Sequence, residues 1–166
     1  MREPLKDRIR LEHIQNSIAN VFQYTEGKTL EQLKNNSMLF YAVVKNIEII
    51  GEAAYHLTKA FCNEHPEVPW KDVMLMRNVL VHDYYRIDAN EVWKVIKEDL
   101  QPLNEQITRC LNEVDWDEWE KSEVAIAESA VHKSLVQTAA RMKRHGYDAD
   151  EICKITGLPH EEIDSI

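Results

Sequence analysis

A chain of 166 residues with 44% hydrophobic and 30% charged side chains has room for one well-filled core, or for one domain with an appendage. Its four glycines and five prolines are few for an all-β protein built on tight turns, so the expected class is all-α. The net charge of −9 argues against tight, indiscriminate nucleic-acid binding, but it is uneven: residues 1–110 hold 14 basic and 16 acidic side chains, a net of −2, and residues 111–166 hold 6 and 13, a net of −7.

No apolar run is long enough to span a bilayer, so no membrane segment is expected. The stretch MREPLKDRIRLEHI carries charges throughout and does not read as a secretory signal. Cys62, Cys110 and Cys153 are scattered and odd in number, which predicts free thiols in a reducing cytoplasm.

In chain order, a first helix is expected from Pro4 or Leu5 to about Tyr24, with Leu11, Ile14, Ile18, Val21 and Phe22 in one stripe and His13 at the surface. Glu26-Gly27-Lys28 breaks it, and Thr29 with Gln32 three residues later has the capping-box pattern. A single long helix is then predicted from about Leu30 to Asn63. Leu30, Leu33, Phe40, Val44, Ile47, Ala54 and Phe61 form one apolar stripe, and Leu39, Val43, Ile50, Ala53 and Leu57 a second. Two stripes call for cover on two sides, part of it from a second protomer. Gly51 permits close backbone approach, and Glu48 and Glu52 share a face, either as a solvated edge or with one of them orienting Arg77. His65-Pro66 and Val68-Pro69 end this helix. Cys62 and His65 have metal-ligand spacing, but no second pair completes a tetrahedral set, and both read as structural.

Trp70 opens the next helix, which carries the segment Met74–Ile87. There Arg77, Asn78, His82, Asp83 and Tyr84 lie among Met74, Leu75, Met76, Val79, Leu80 and Val81. In a helix Arg77 and Val81 share a face, His82 lies ~140° round from Arg77 so that the two flank a groove, and Tyr84 returns to the arginine's face. Arginine is a permanent cation with a planar donor fork suited to phosphate oxygens, and histidine moves protons near neutrality. With no carboxylate cluster in the segment, the pair suggests metal-free phosphodiester chemistry. The residues alone favour a buried Arg–Asp pair and a helix-terminal histidine, because an arginine and a histidine five apart are common in helices.

Beyond the segment, Asp88 is the expected N-cap of a helix from Ala89 with Val92, Ile96, Leu100, Leu103, Ile107 and Leu111 as its core stripe, kinked at Pro102. The acidic stretch NEVDWDEWEKSE marks a boundary, where Trp116 and Trp119 could dock the C-terminal tail on the body. A helix is expected from about Ser122 to Arg144, stopped by Gly146, then a short helix from Asp148 or Asp150 to Gly157 and a last turn to Ile166. The end of the chain faintly resembles a helix-turn-helix, but Pro-His-Glu-Glu-Ile-Asp is acidic where a DNA-reading helix is basic.

The run Arg77-Asn-Val-Leu-Val-His82-Asp-Tyr84 fits the R-x4-H-x-Y motif of HEPN-domain proteins of the HepT type, the DUF86 family. Ile49-Ile-Gly-Glu-Ala-Ala54, His65-Pro-Glu-Val-Pro-Trp70 and Ile87-Asp-Ala-Asn-Glu-Val-Trp93 also resemble that family, and the likeness covers roughly residues 4 to 110. It implies an all-α, HEPN-type up-and-down helical bundle over residues 1–112. An acidic linker at 113–122 and a C-terminal helical appendage at 123–166, of unknown role, would complete the chain. The resemblance further implies a homodimeric, cytoplasmic, metal-independent endoribonuclease without cofactor, the toxin of a toxin–antitoxin pair acting on RNA such as tRNA. Arg77 and His82 would be catalytic, with Asn78 in support. The resemblance makes Tyr84 the residue to which a cognate, MntA-like nucleotidyltransferase antitoxin attaches AMP. Two other readings stand beside it: a non-catalytic module that recruits the nucleotidyltransferase, and, last on charge, a DNA-binding regulator using the tail.

Overall fold

The structure is a computed structural model and describes residues 7–81 and 87–166, the side chains of residues 77–81, 123, 126 and 127 excepted. The described residues are helical with no strands, as the composition predicts. The chain divides into two compact units, Met1–Trp116 and Asp117–Ile166.

In the first unit, α1 (Asp7–Thr25) presents Leu11, Ile14, Ile18 and Val21, all fully buried, while His13 is exposed. The predicted long helix from Leu30 is cut into three: α2 (Leu30–Lys34), α3 (Ser37–Tyr55) and α4 (Lys59–Glu64). Short polar side chains cause both cuts by offering the backbone a partner outside the helical ladder. The Asn36 side chain accepts from Leu39 N at 3.0 Å and starts α3; Thr58 Oγ1 accepts from Phe61 N at 3.1 Å and starts α4. The Thr29–Gln32 capping box on α2 forms as expected.

Most of both apolar stripes is covered within one chain; Leu30, Leu39 and Phe40 stay half-buried. Val43, Val44, Ile47, Ile50, Ala53, Ala54, Leu57 and Phe61 are buried, and α3 packs against both α1 and α5 (Trp70–Val81). A second protomer is therefore not needed to cover them. The large apolar side chains that α3 leaves exposed are Met38, Tyr41, Ile49 and Tyr55, on the same side as Glu48 and Glu52. Polar ties fix the packing. Asn20 donates to Asn46 at 3.1 Å between α1 and α3. Gln15 donates to Thr108 at 3.0 Å, joining α1 to the segment near residue 108. Buried Asp7 accepts from Thr58 N at 2.8 Å and from Thr58 Oγ1 at 2.6 Å, tying the starts of α1 and α4.

Asp88 caps α6 (Ala89–Lys94), its carboxylate accepting from Asn90 N. A π-helical stretch over Val95–Asp99, in which Leu100 N reaches back to Val95 O, interrupts the predicted helix ahead of Pro102. This puts Pro102 in the first turn of α7 (Leu100–Glu113), where a missing N–H costs least. Leu100, Leu103 and Ile107 then continue the core.

Helix α8 runs from Trp116 to Arg144, so helix already begins at Trp116 and not near Ser122; only Val114 and Asp115 separate it from α7. Trp116 stacks on Phe61 with ring centroids 5.9 Å apart and donates its indole N–H to Leu111 O, all within the first unit. In the second unit Gly146 (φ 88°) follows α8 and Asp148 caps α9 (Ala149–Thr156) in a capping box with Glu151. Gly157 (φ 73°) closes α9, and α10 (His160–Ser165) comes next. Ala139, Ile152, Leu158 and Ile163 are its buried core. Lys143 donates to the carbonyls of Ile163 and Asp164 at the end of α10.

Candidate functional site

The helix that carries the motif is anchored firmly at its start. Trp70 is 6% exposed, donates its indole N–H to His65 O at 2.8 Å, and meets Phe61 edge-on at 6.0 Å. Asp72 N and Val73 N both donate to Pro69 O, while Val68 and Val73 are buried. Asp72 adds a carboxylate in the first turn, where the helix dipole favours it. Two local features set this entry: Pro69 cannot continue the preceding segment, and the apolar spacing of Trp70 and Val73 draws the first turn into the core.

Arg77 and Asn78 lie on α5, whose backbone is helical through Val81. Their side chains are not among those described, so the proposed orientation of Arg77 by Glu48 or Glu52 has no geometry to compare with. His82, Asp83, Tyr84 and Tyr85 lie outside the described residues. Glu48 pairs with Lys45 at 3.1 Å, and Glu52 meets His56 Nε2 at 2.9 Å.

Beside α5 opens a cleft of about 650 Å³ with an apolar floor that includes Ile47, Val73, Met76, Val92 and Leu103. Asp72, Asp88, Glu91, Glu98 and Asp99, all exposed, also line it. Five carboxylates repel a phosphate backbone, so this cleft is not a surface on which RNA would lie.

A second group was only half visible in the sequence. His65, Glu67 and Cys110 bring a ring nitrogen, a carboxylate oxygen and a sulfur within 4.8 Å of one another. Cys62, the partner that spacing suggested for His65, is not in this group. His65 Nδ1 lies 3.2 Å from Glu67 Oε1, and the His65 ring packs on Phe61 with centroids 4.4 Å apart. Burial, reinforced by the Glu67 carboxylate, pushes the Cys110 thiol up to about 11. The Glu67 carboxyl is held low by its own backbone N–H and then by His65. Cys110 belongs to α7, and no local pattern could have paired it with a loop so far back in the chain. Cys62, Cys110 and Cys153 are free thiols. No helix among the described residues is long and apolar enough to cross a membrane.

A family model described as "Ribonuclease HepT-like" matches residues 14–110, which include Arg77, Asn78, His82 and Tyr84. A Methanocaldococcus jannaschii protein named "Gamma-glutamylcyclotransferase and putative RNase" is 36% identical over 115 residues, covering 69% of this chain and 51% of the relative. The chain thus spans about half the length of that relative. A "Putative RNase" of Caldanaerobacter subterraneus is 33% identical over 101 residues, 61% of this chain and 90% of its own. A "Probable ribonuclease HepT" of Thermococcus cleftensis is 34% identical over 93 residues, 56% of this chain and 84% of its own. No solved structure matches.

Proposed function

The chain belongs to the HepT-like ribonuclease family, and from that premise we propose that it is a metal-independent endoribonuclease, the toxin of a toxin–antitoxin pair. The observation that carries the reading is that the R-x4-H-x-Y run Arg77–Tyr84 falls inside the matched segment, with Arg77 and Asn78 on a helix anchored at Trp70.

In the proposed reaction the ribose 2′-hydroxyl of RNA attacks the adjacent phosphorus. The O2′–P bond forms, the P–O5′ bond breaks, and the product end is a 2′,3′-cyclic phosphate. His82 takes the 2′ proton or delivers one to the leaving 5′-oxygen. In a homodimer that brings two motif helices together, the second copy's His82 performs the other transfer. Arg77 holds the phosphoryl oxygens as negative charge builds, and Asn78 positions the phosphate or the arginine. The nucleophile is the substrate's own hydroxyl, so the scheme calls for no metal-activated water. Exposed Met38, Tyr41 and Tyr55 on α3 support pairing of two copies. The cognate nucleotidyltransferase would attach AMP to Tyr84, adding bulk and a phosphodiester charge that occupies the Arg77 fork.

The test is cleavage of total tRNA in EDTA by the purified protein. His82→Ala and Arg77→Ala are expected to lose activity by ~100-fold or more while keeping their helical circular dichroism. Unchanged rates in either variant, or a requirement for Mg²⁺, overturn the mechanism. After incubation with ATP, Mg²⁺ and the nucleotidyltransferase, mass spectrometry should find AMP on Tyr84; label on Tyr85 instead refutes that part.

A second reading, a non-catalytic module that docks the nucleotidyltransferase, is favoured by the carboxylates lining the cleft beside α5. It predicts that His82→Ala leaves the cellular phenotype intact.

A further inference from the structure

We propose that His65, Glu67 and Cys110 bind one divalent cation of the zinc class, with a fourth position open to water. The three residues supply the nitrogen, oxygen and sulfur donors that zinc takes, and their ligand atoms already lie within 4.8 Å of one another. Zinc bonds of roughly 2.0–2.3 Å place tetrahedral ligands about 3.5 Å apart, so closure requires a shift of about 1 Å. Glu67, which is exposed, can make that shift by a change of rotamer.

The backbone around the group is held in place. Gln106 Nε2 donates to Glu67 O at 2.8 Å, and Gln106 stands one turn before Cys110 on α7. The Trp70 indole holds His65 O from the other side of the loop. The loop and the helix are therefore clamped together whether or not a cation is present, which lowers the ordering cost of binding. His65 is further restrained by its packing on Phe61.

The ligands also balance the charge of the ion. Cys110 is 3% exposed. On binding, its thiol loses its proton to solvent, the sulfur–metal bond forms, and two negative ligands neutralise the dication. Arg109 is the opposing cation, its charge felt at both Glu67 and Cys110. None of the three ligands belongs to the Arg77–Tyr84 run, and a bound ion would add to the hold on the loop that leads into α5.

The experiment titrates the metal-stripped full chain with Zn²⁺ and with Co²⁺. One Co²⁺ per chain should bind, with a thiolate-to-cobalt charge-transfer band in the near ultraviolet, and Zn²⁺ should displace it. The band should vanish in Cys110→Ser and persist in Cys62→Ser and Cys153→Ser. His65→Ala and Glu67→Gln should weaken binding by ~10-fold or more, and Arg109→Gln should tighten it. Absence of stoichiometric binding by the parent chain, a band that survives Cys110→Ser, or a band that requires Cys62 or Cys153 overturns the proposal. Should Cys110→Ser fail to fold, unchanged affinity in both His65→Ala and Glu67→Gln overturns it equally.

Discussion

In the first unit Leu11, Ile14, Ile18, Val21, Val43, Ile50, Phe61, Leu100 and Ile107 are all shut off from solvent, drawn from four α-helices. In the second, Ala139, Ile152, Leu158 and Ile163 make up the buried core, and much of the order sits at helix ends: the Asp148–Glu151 box, left-handed Gly157, and Lys143 on the final carbonyls. The first unit is held by apolar area, the second to a larger degree by satisfied end groups. The family match stops at residue 110, inside the first unit, and most of the acidic excess lies beyond it. The part that carries the motif is thus the part with the deep core.

The contrast can be broken in several ways. Phe61→Ala should have the largest effect. Its ring packs against His65, Trp70 and Trp116, and truncation should cost about 3–5 kcal/mol in denaturant unfolding. A loss below about 1 kcal/mol would show that the ring cluster is not a shared anchor. Ile152→Ala should remove about 2–5 kcal/mol from a unit with few other buried side chains. Amide protection across α9 and α10 should then collapse while α1 and α3 keep theirs; loss of protection in step in all four would abolish the distinction.

Smaller changes sharpen it. Asp148→Ala removes the side-chain half of the capping box and should cost the second unit about 1 kcal/mol, with Asp148→Asn restoring most of it. An unchanged midpoint for α9 unfolding would discount the end groups. The smallest expected effect is alkaline. Burial first, and the Asp7 charge second, raise the Cys62 thiol above its ordinary value of 9.0. The unfolded thiol ionises first, so this stabilisation is complete below the ordinary value and is lost as pH rises through the raised one. Cys62→Ala should flatten the fall in stability on the alkaline side, and an unchanged slope would remove Cys62 as its source.

Structure is most legible in the sequence where it is local. Thr29, Asp88, Gly146 and Gly157 each mark a helix end with their own side chain or backbone, and each lies at the expected end. The region from Leu30 reads as one helix because its apolar period continues across Asn36 and Thr58, whose side chains divert the backbone without disturbing that period. The double stripe suggests a second protomer for the same reason: period shows that a face is covered, not by what. Asp7 with Thr58, and Cys110 with Glu67, are meetings of distant segments that no local pattern announces. Of the motif, Arg77 and Asn78 are on a helix as read, while His82 and Tyr84 lie outside the described residues.

The π-helical stretch before α7 bears on how this chain can change length. Such a stretch equals an ordinary helix with one residue inserted, so deleting one residue between Val95 and Asp99 would restore a regular ladder without moving either flank. Here the deletion has a condition. An uninterrupted α-helix would press the Pro102 ring against the carbonyl four residues earlier, which the present arrangement avoids. The extra residue and the proline therefore form a linked pair. Loss of the residue should be tolerated in a chain whose Pro102 has become alanine and damaging in one that keeps it, so a drift in length at this point would have to pass through a change at that single side chain.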